Sequence, residues 1–568
     1  MDGDLEPGRR PDEGGLEASR SASSAQILSN FARFEAEVQL AEKAYASGEL
    51  EMAALYVATA ATIATHAHCG IFASPRLESV LNAMGRRIVS GEIATNSGGK
   101  HAFKKVLHVG TELAIGGLTR MISRWIDADA DRINSLVLTQ HRGDIPEHLT
   151  HAVQRSGGRI VKLNQTVGSR FDWVRALRRI ACEHDVIVLH IHCEDVIPLL
   201  AFADEAGLPP VLLLNHADHL FWLGPSVSHM VINLRDAAAD ISVSRRGVEP
   251  RRNFLLPTIV DFTARLRSRR DAKASLGLQP DSILLLSVAR HAKYRSLHGM
   301  SFADRHVKLL EKHPQAQMIV VGSGEPDDWQ AAKDRVNGRI RGLPEQPDPR
   351  RYFEAADIYV DSYPFVSSTS MMEAGGYGLP LVTMFTFPDE ARIFGINHVG
   401  LVGTSLVAKT IEEYDALLER LVVDPVFREQ SGEAARRAVE GFHTPSAWHR
   451  HLEAAFKHAM DLPVRSDNWT AAAKSIEFPN LGPPDSLHQD IFGSEYSAAE
   501  INMVYMGALP FRQRIALWSA MRKRGEILGL TANLRLLLPE WLKANLLMTC
   551  VNCKELCAKL ISSRLLEN

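Results

Sequence analysis

Four hydroxyl side chains in a row, Ser367, Ser368, Thr369 and Ser370, follow an apolar stretch at 358–361 and the loop Ser362-Tyr363-Pro364-Phe365. They open a segment, 368–377, that reads as a helix. Hydroxyls and unpaired N–H groups at a helix start suit phosphate oxygens, and the helix dipole favours negative charge there. Glu373 falls about one turn further on, where its carboxylate could accept hydrogen bonds from ribose hydroxyls. Gly378-Leu379-Pro380 then stops the helix and starts the next strand. Arg290 closes another apolar stretch, 283–289, with Lys293 and Arg295 close behind. Cations at such a place can neutralise a diphosphate as it leaves.

Three further motifs also stand behind apolar runs. Gly116-Gly117 follows 104–109 and opens a helix with Thr119 and Arg120. Paired glycines let backbone approach a ligand closely, or simply make a tight strand-to-helix turn. Gly322-Ser323-Gly324-Glu325 follows 317–321 and reads as either a plain turn or a wall of a nucleotide pocket. Asn215-His216-Ala217-Asp218-His219 follows 211–214. A histidine beside a carboxylate can act as general base or polarise a hydroxyl, and His216 is favoured because it lies nearest the strand end. No paired Asp motif closes a strand around the hydroxyl run, so no metal site is expected; Asp127, Asp129 and Asp131 follow a helix and read as solvated.

The elements that must position these residues are strands. Apolar runs at 104–109, 134–139, 159–163, 186–191, 211–214 and 229–234 are separated mostly by helix-like segments. The same rhythm returns at 283–289, 317–321, 358–361 and 380–384, with helices over 300–313, 326–337, 348–356 and 368–377. Strands alternating with helices predict parallel sheets covered on both faces, and strands buried on both sides need no polar alternation. Ligands of such sheets bind beyond the carboxyl ends of the strands, where every motif above sits. The expected fold class is α/β with two tandem Rossmann-like domains, 101–265 and 280–445. Residues 25–100 read as a helical preface and 446–568 as a helical tail with a Pro-rich linker; 1–24, rich in Gly, Pro, Ser and charge, is expected to be disordered.

A chain of 568 residues, 45% hydrophobic and 23% charged, can bury several cores without metal or disulfide help. A net charge of −3 gives no basic field, so nucleic acid is not an expected partner, and Arg245, Arg246, Arg251 and Arg252 read as solvated faces. Six cysteines are too sparse for a disulfide framework. Cys550, Cys553 and Cys557 fit one helix face at i, i+3, i+7 and lack a fourth zinc ligand nearby. The first residues, with Asp2, Asp4, Glu6, Arg9 and Arg10, lack the apolar core of a signal peptide, and no apolar run is long enough to span a bilayer. A cytoplasmic protein is expected, its tail (Leu536, Leu537, Leu538, Trp541) packing on the enzyme or lying peripherally on the inner face of a membrane.

Taken together, the segment 283–384 resembles the donor domain of GT-B fold glycosyltransferases of the retaining, nucleotide-sugar-dependent group 1/group 4-like kind. The family pattern is a strand ending in Gly-Arg, a later Gly-x-Gly, then Glu-x7-Glu followed by Gly-x-Pro. Arg290, Gly322 and Gly324, and Glu373 with Gly378, Leu379 and Pro380 match it. Phe365 stands where the first glutamate would fall and Ala289 where a glycine precedes the arginine. The Ser/Thr run also looks like the phosphate-binding turn of inverting protein glycosyltransferases. The resemblance covers 105–445 and implies two domains facing across a cleft, acceptor on the first and donor on the second. It implies that Arg290, with Lys293 or Arg295, contacts the diphosphate, that Glu373 binds the donor ribose, that Gly116 and Gly117 face the donor phosphates or acceptor, and that His216 is a functional histidine. The donor would be a nucleotide sugar bound as substrate, with no cofactor, and the acceptor a glycan, lipid-linked or protein hydroxyl or amide. Competing readings are a non-catalytic nucleotide-binding scaffold and a sugar-nucleotide epimerase, which would convert donor without acceptor.

Overall fold

The computed structural model describes residues 13–91, 103–113, 116–261, 265–297, 299, 301–465, 469, 473–494, 496–525 and 537–549. Two parallel sheets form its centre. The first contains β1 (Lys105–Gly110), β2 (Ile133–Leu138), β3 (Ile160–Lys162), β4 (Val186–His190), β5 (Val211–Asn215), β6 (Met230–Asn233) and β7 (Asn253–Leu255), in the order β3-β2-β1-β4-β5-β6-β7. The second contains β8 (Ile283–Val288), β9 (Ala316–Val321), β10 (Ile340–Leu343), β11 (Ile358–Val360), β12 (Leu381–Met384) and β13 (Leu406–Ala408), in the order β10-β9-β8-β11-β12-β13. These are two Rossmann-like units, the GT-B arrangement that the resemblance implies. In each, the strand order reverses beside the first strand, between β1 and β4 and between β8 and β11, and the crevice beyond that point is where doubly wound sheets hold ligands.

The strands are apolar throughout because neighbouring residues face different cores. Val106 packs on one face with Trp125 and Val188, whereas Leu107 and Val109 pack on the other with Leu177 and Leu189. In β8, Leu284 and Leu286 share one core and Leu285 belongs to the opposite one.

The helical preface comprises α1 (Glu13–Ala46), α2 (Leu50–His66) and α3 (Pro75–Val89). Most of α2 is buried, and its Ala-rich face lets α1 approach closely. Ser74 caps α3, and Arg76 in its first turn holds Glu35 and Glu42 of α1 at 2.6 and 2.8 Å. This preface shares a single core with the first sheet, in which Phe34, Val57 and Leu81 meet Leu107, Leu189 and Phe221. The helix Pro445–Asp461, placed by sequence at the start of the tail, returns to the first sheet, where Trp448, Leu452 and Phe456 pack on Val106, Trp125 and Val188. Further on, Leu487 and Ile491 join Phe72, Ile241, Phe365 and Phe394, so preface, both domains and tail meet in one apolar plug.

Several expectations need revision. The first helix begins at Glu13, inside the segment expected to be disordered through 24, while residues 1–12 lie outside the described ones. Strands β7, β10 and β13 have no sequence forecast; they are three or four residues long and at or near sheet edges, where little apolar surface is needed. Arg246 and Arg252 are buried, not solvated: the Arg246 guanidinium lies 4.5 Å from the Trp222 ring and 5.3 Å from Phe72, and donates to the carbonyls of Asp218 and Leu220. Trp541 packs against the shared core, and among the described residues no helix is long and apolar enough to cross a membrane. Cys69, Cys182 and Cys193 form no disulfide among the described residues, and Cys550, Cys553, Cys557 and Leu536 lie outside them.

Trp448 is fully buried and its Nε1 donates to the Pro257 carbonyl at 2.7 Å, so it ties the returning helix to the chain leaving the first domain. Trp448→Ala is expected to cost ~3–5 kcal/mol through the cavity and the lost bond, read as a lower urea midpoint.

Candidate functional site

At the first switch point, the turn after β1 leads through Gly116 into α4 (Gly117–Ala128). At the second, Val288 leads to Arg290 and a short 3-10 turn, His291–Tyr294, while β11 leads to the helix Ser368–Gly376. These segments meet. A Cβ on Gly116 would stand 2.1 Å from Arg290 Nη2, and one on Gly117 would stand 3.4 Å from Thr369 Oγ1. At Gly116 the backbone thus lies against a guanidinium of the opposite domain, and Gly117 lies where a side chain would make ordinary contact with a hydroxyl of that domain.

The helix start at 368 is prepared from below. Asp361, at the end of β11, accepts from the amides of Ser362 (2.9 Å) and Ser367 (2.8 Å), which shapes the loop into the helix. The Ser367 hydroxyl bonds Ser370 Oγ at 3.2 Å and does not cap the first turn. Ser368 is held by His398, whose Nε2 lies 2.7 Å from its Oγ. Lys293 Nζ donates to the Val366 carbonyl at 2.6 Å and stands 4.7 Å from the centre of the Phe365 ring. Burial lowers the Lys293 ammonium to about 8, against the pull of Asp361. Burial likewise raises Asp361 to about 6 despite the backbone amide of Ser367. Phe365 itself is buried among His219, Phe394 and Phe492, with centroid distances of 4.6, 6.2 and 5.0 Å. An ionised glutamate at this position would lose that packing.

Glu373 is 8% exposed and faces α4, with its Oε1 2.6 Å from Arg124 Nη2 and 3.5 Å from Arg120 Nη1. The remaining residues chosen from sequence are arranged differently. Gly322 and Gly324 form a turn whose amides both donate to the Leu343 carbonyl, at 2.8 and 2.9 Å. Gly322 has φ +96°, and a Cβ there would meet the Ala289 carbonyl at 2.0 Å, so this glycine is demanded by backbone. The turn reaches the site through Ser323, whose carbonyl is 2.6 Å from His291 Nδ1. Arg295 points toward the tail, with Nη1 3.4 Å from the Ile491 carbonyl. His216 Nε2 donates to the Ile191 carbonyl at 2.9 Å, which leaves Nδ1 as the basic atom. Burial lowers this imidazole to about 4, so it is neutral near pH 7.

Asp218 is not the partner of His216. It takes a two-pronged ion pair from Arg235, at 2.7–2.9 Å, and lies 3.4 Å from His219 Nδ1. Burial pushes its carboxyl up, and the Arg235 charge and His219 outweigh that and hold it well below the carboxylate range. Asp129 also departs from expectation: it is buried, and Arg132 bridges it to Glu453 with bonds of 2.5 and 2.6 Å. His449 completes a cluster close enough to hold a cation, but the Arg132 guanidinium already supplies the positive charge.

No protein-family model and no curated protein sequence matches the chain. Solved structures do resemble it. Anabaena HepE, crystallised with UDP and glucose, superposes with a TM-score of 0.48 at 15% identity, covering 63% of this chain and 100% of HepE. A glycosyltransferase from Rickettsia africae gives 0.48 at 11% identity, covering 64% of this chain and all of its own. A mutant O-GlcNAc transferase from Thermobaculum terrenum gives 0.46 at 15% identity, covering 82% of this chain and 86% of the transferase. The likeness is one of fold.

Arg120, Arg124 and His398 are the residues that sequence reading passes over as site components. Arg120 and Arg124 carry a weak signal, since i, i+4 spacing places both on one face of the helix that Gly117 opens. His398 follows no recognisable motif. Gly116→Ala tests the close approach directly. The flexible Arg290 side chain can swing aside, but Gly116 has φ +157°, which a residue with a side chain rarely adopts, so a lower melting temperature is expected, and titration calorimetry on the folded variant should show nucleoside diphosphate binding weakened about tenfold.

Proposed function

We propose that the chain transfers a sugar from a nucleoside-diphosphate sugar to an acceptor held against the first domain. The observation that carries this reading is the meeting, at both switch points, of Gly116 and Gly117 with Arg290 and Thr369. In this reading the diphosphate lies between the Arg290 guanidinium and the first-turn amides and hydroxyls of Ser367, Ser368, Thr369 and Ser370. Preorganised donors of this kind stabilise the charge that grows on the leaving diphosphate. Lys293 adds a second cation, Glu373 takes the ribose hydroxyls, and the two facing domains exclude water from the reacting sugar. His216, uncharged and with Nδ1 able to accept a hydrogen bond, orients and polarises the incoming acceptor hydroxyl or amide.

The direct test is transfer and donor hydrolysis with a panel of UDP-, GDP- and ADP-sugars, beginning with UDP-glucose. Arg290→Ala and Glu373→Ala are each expected to weaken nucleotide binding about tenfold or more, since each removes a charge-assisted contact. Unchanged affinity in both variants would remove the pocket assignment. His216→Ala should instead lower kcat and leave donor affinity in place.

Lys293 makes a pH prediction. Only the ammonium form attracts a diphosphate, and that form is lost as pH rises through about 8. Nucleotide affinity should therefore hold from about pH 7 and decline above pH 8, and Lys293→Arg, whose charge persists, should flatten the decline. Calorimetric titration at several pH values in buffers of matched ionic strength reads this out.

A further inference from the structure

Glu373 is surrounded in an unusual way for a residue expected to receive a ligand. Its helix belongs to the second domain, yet both of its cationic partners, Arg124 and Arg120, come from α4 of the first. Both guanidiniums converge on one carboxylate oxygen, Oε1, and among the described residues no hydrogen bond engages Oε2. Arg124 is itself pinned. It is 9% exposed, its Nη1 donates to the Ile259 carbonyl at 3.4 Å, and its Nη2 also bonds Asp261 Oδ2 at 2.8 Å. Ile259 and Asp261 lie in the segment that leaves β7 on its way to the second domain. Arg120 is steadied in the same direction by the Pro347 carbonyl, 3.4 Å from its Nη2.

A carboxylate on a helix surface ordinarily samples several rotamers, and holding one of them for a ligand costs entropy at the moment of binding. Here a planar fork fixed at both nitrogens holds one oxygen and leaves the other presented. We propose that Arg124 is a positioning residue for the donor: it clamps Glu373 through Oε1 so that Oε2 meets the ribose hydroxyls. This inference rests on the proposed function and assigns part of the donor site to the first domain. The nucleoside is then recognised fully only when α4 and the helix Ser368–Gly376 lie together, so ribose binding and domain apposition support each other. Arg124 touches no ligand in this scheme and acts through Glu373.

The experiment uses the full chain and calorimetric titration with UDP, GDP and ADP, each paired with its 2′,3′-dideoxy form. Wild type should bind the preferred ribonucleotide about tenfold tighter than its dideoxy form, because charge-assisted hydrogen bonds to Glu373 are lost with the hydroxyls. Arg124→Ala should erase most of that preference while binding the dideoxy form as wild type does. Arg124→Lys should fall between, since a point charge replaces the fork. In turnover, Arg124→Ala should raise the donor KM about tenfold with kcat little changed. A melting curve for each variant separates a folded clamp mutant from an unfolded one, and Arg124→Lys and Glu373→Gln carry the test if Arg124→Ala does not fold. Equal weakening of both nucleotide forms, or a preference for ribose that survives in the Arg124 variants while Glu373→Ala abolishes it, overturns the clamp and leaves the proposed function standing. A wild type that takes up none of the six nucleotides overturns both.

Discussion

The approach of the turn after β1 to the strand ends of the second sheet organises the rest of the molecule. A guanidinium can lie against this turn only where the backbone carries no side chain, and Gly116 meets that condition against Arg290. Because Gly117 opens α4 at the same point, the geometry also sets where Arg120 and Arg124 emerge, one and two turns on. Two elements that pack on different sheets are thereby brought into direct contact at a place rich in cations and helix-start amides. That contact gathers Arg290, Lys293, Arg120 and Arg124 locally, the last three beside backbone acceptors or carboxylates, without giving the whole chain a basic character, in keeping with a net charge of −3.

Holding two Rossmann-like units in such register requires more than the contact itself. The apolar plug of Phe72, Ile241, Phe365, Phe394, Leu487 and Ile491 draws on the preface, both domains and the tail. The helix Pro445–Asp461 crosses back to the first sheet and closes the chain on itself. Buried charges reinforce the same junctions. Asp485 takes His68 at 2.8 Å and Arg245 at 2.9 Å, and so joins tail, preface and first domain in one network. Phe365 belongs to this scaffold. Its ring is spent on packing against His219, Phe394 and Phe492.

Burial tunes the chemistry of the site through its cost for charge. The Lys293 ammonium is brought down toward neutral pH and the Asp361 carboxyl up toward it, and His216 is kept neutral. Asp218 shows the opposite outcome, because Arg235 reaches it with a fork and more than cancels the penalty of burial. Which way a buried group moves depends on the partner it finds, and these partners come from distant parts of the chain.

The sequence by itself determined the central strands and the parallel α/β class. A strand buried on both faces has to be a continuous apolar run, and 283–289, 186–191 and 211–214 could be little else. It likewise pointed to the hydroxyl run at 367–370 and to Arg290, because helix starts and strand ends have local signatures. Tertiary structure decided what depends on residues far apart. It alone pairs Glu373 with Arg124 across 249 positions, commits Asp218 to Arg235, sinks Arg246 between Phe72 and Trp222, and turns Arg295 toward the tail. The edge strands β7, β10 and β13 also escaped, since they bury too little to leave a pattern. Periodicity records how one segment meets a core; an ion pair records how two segments meet each other, and no local spacing encodes that.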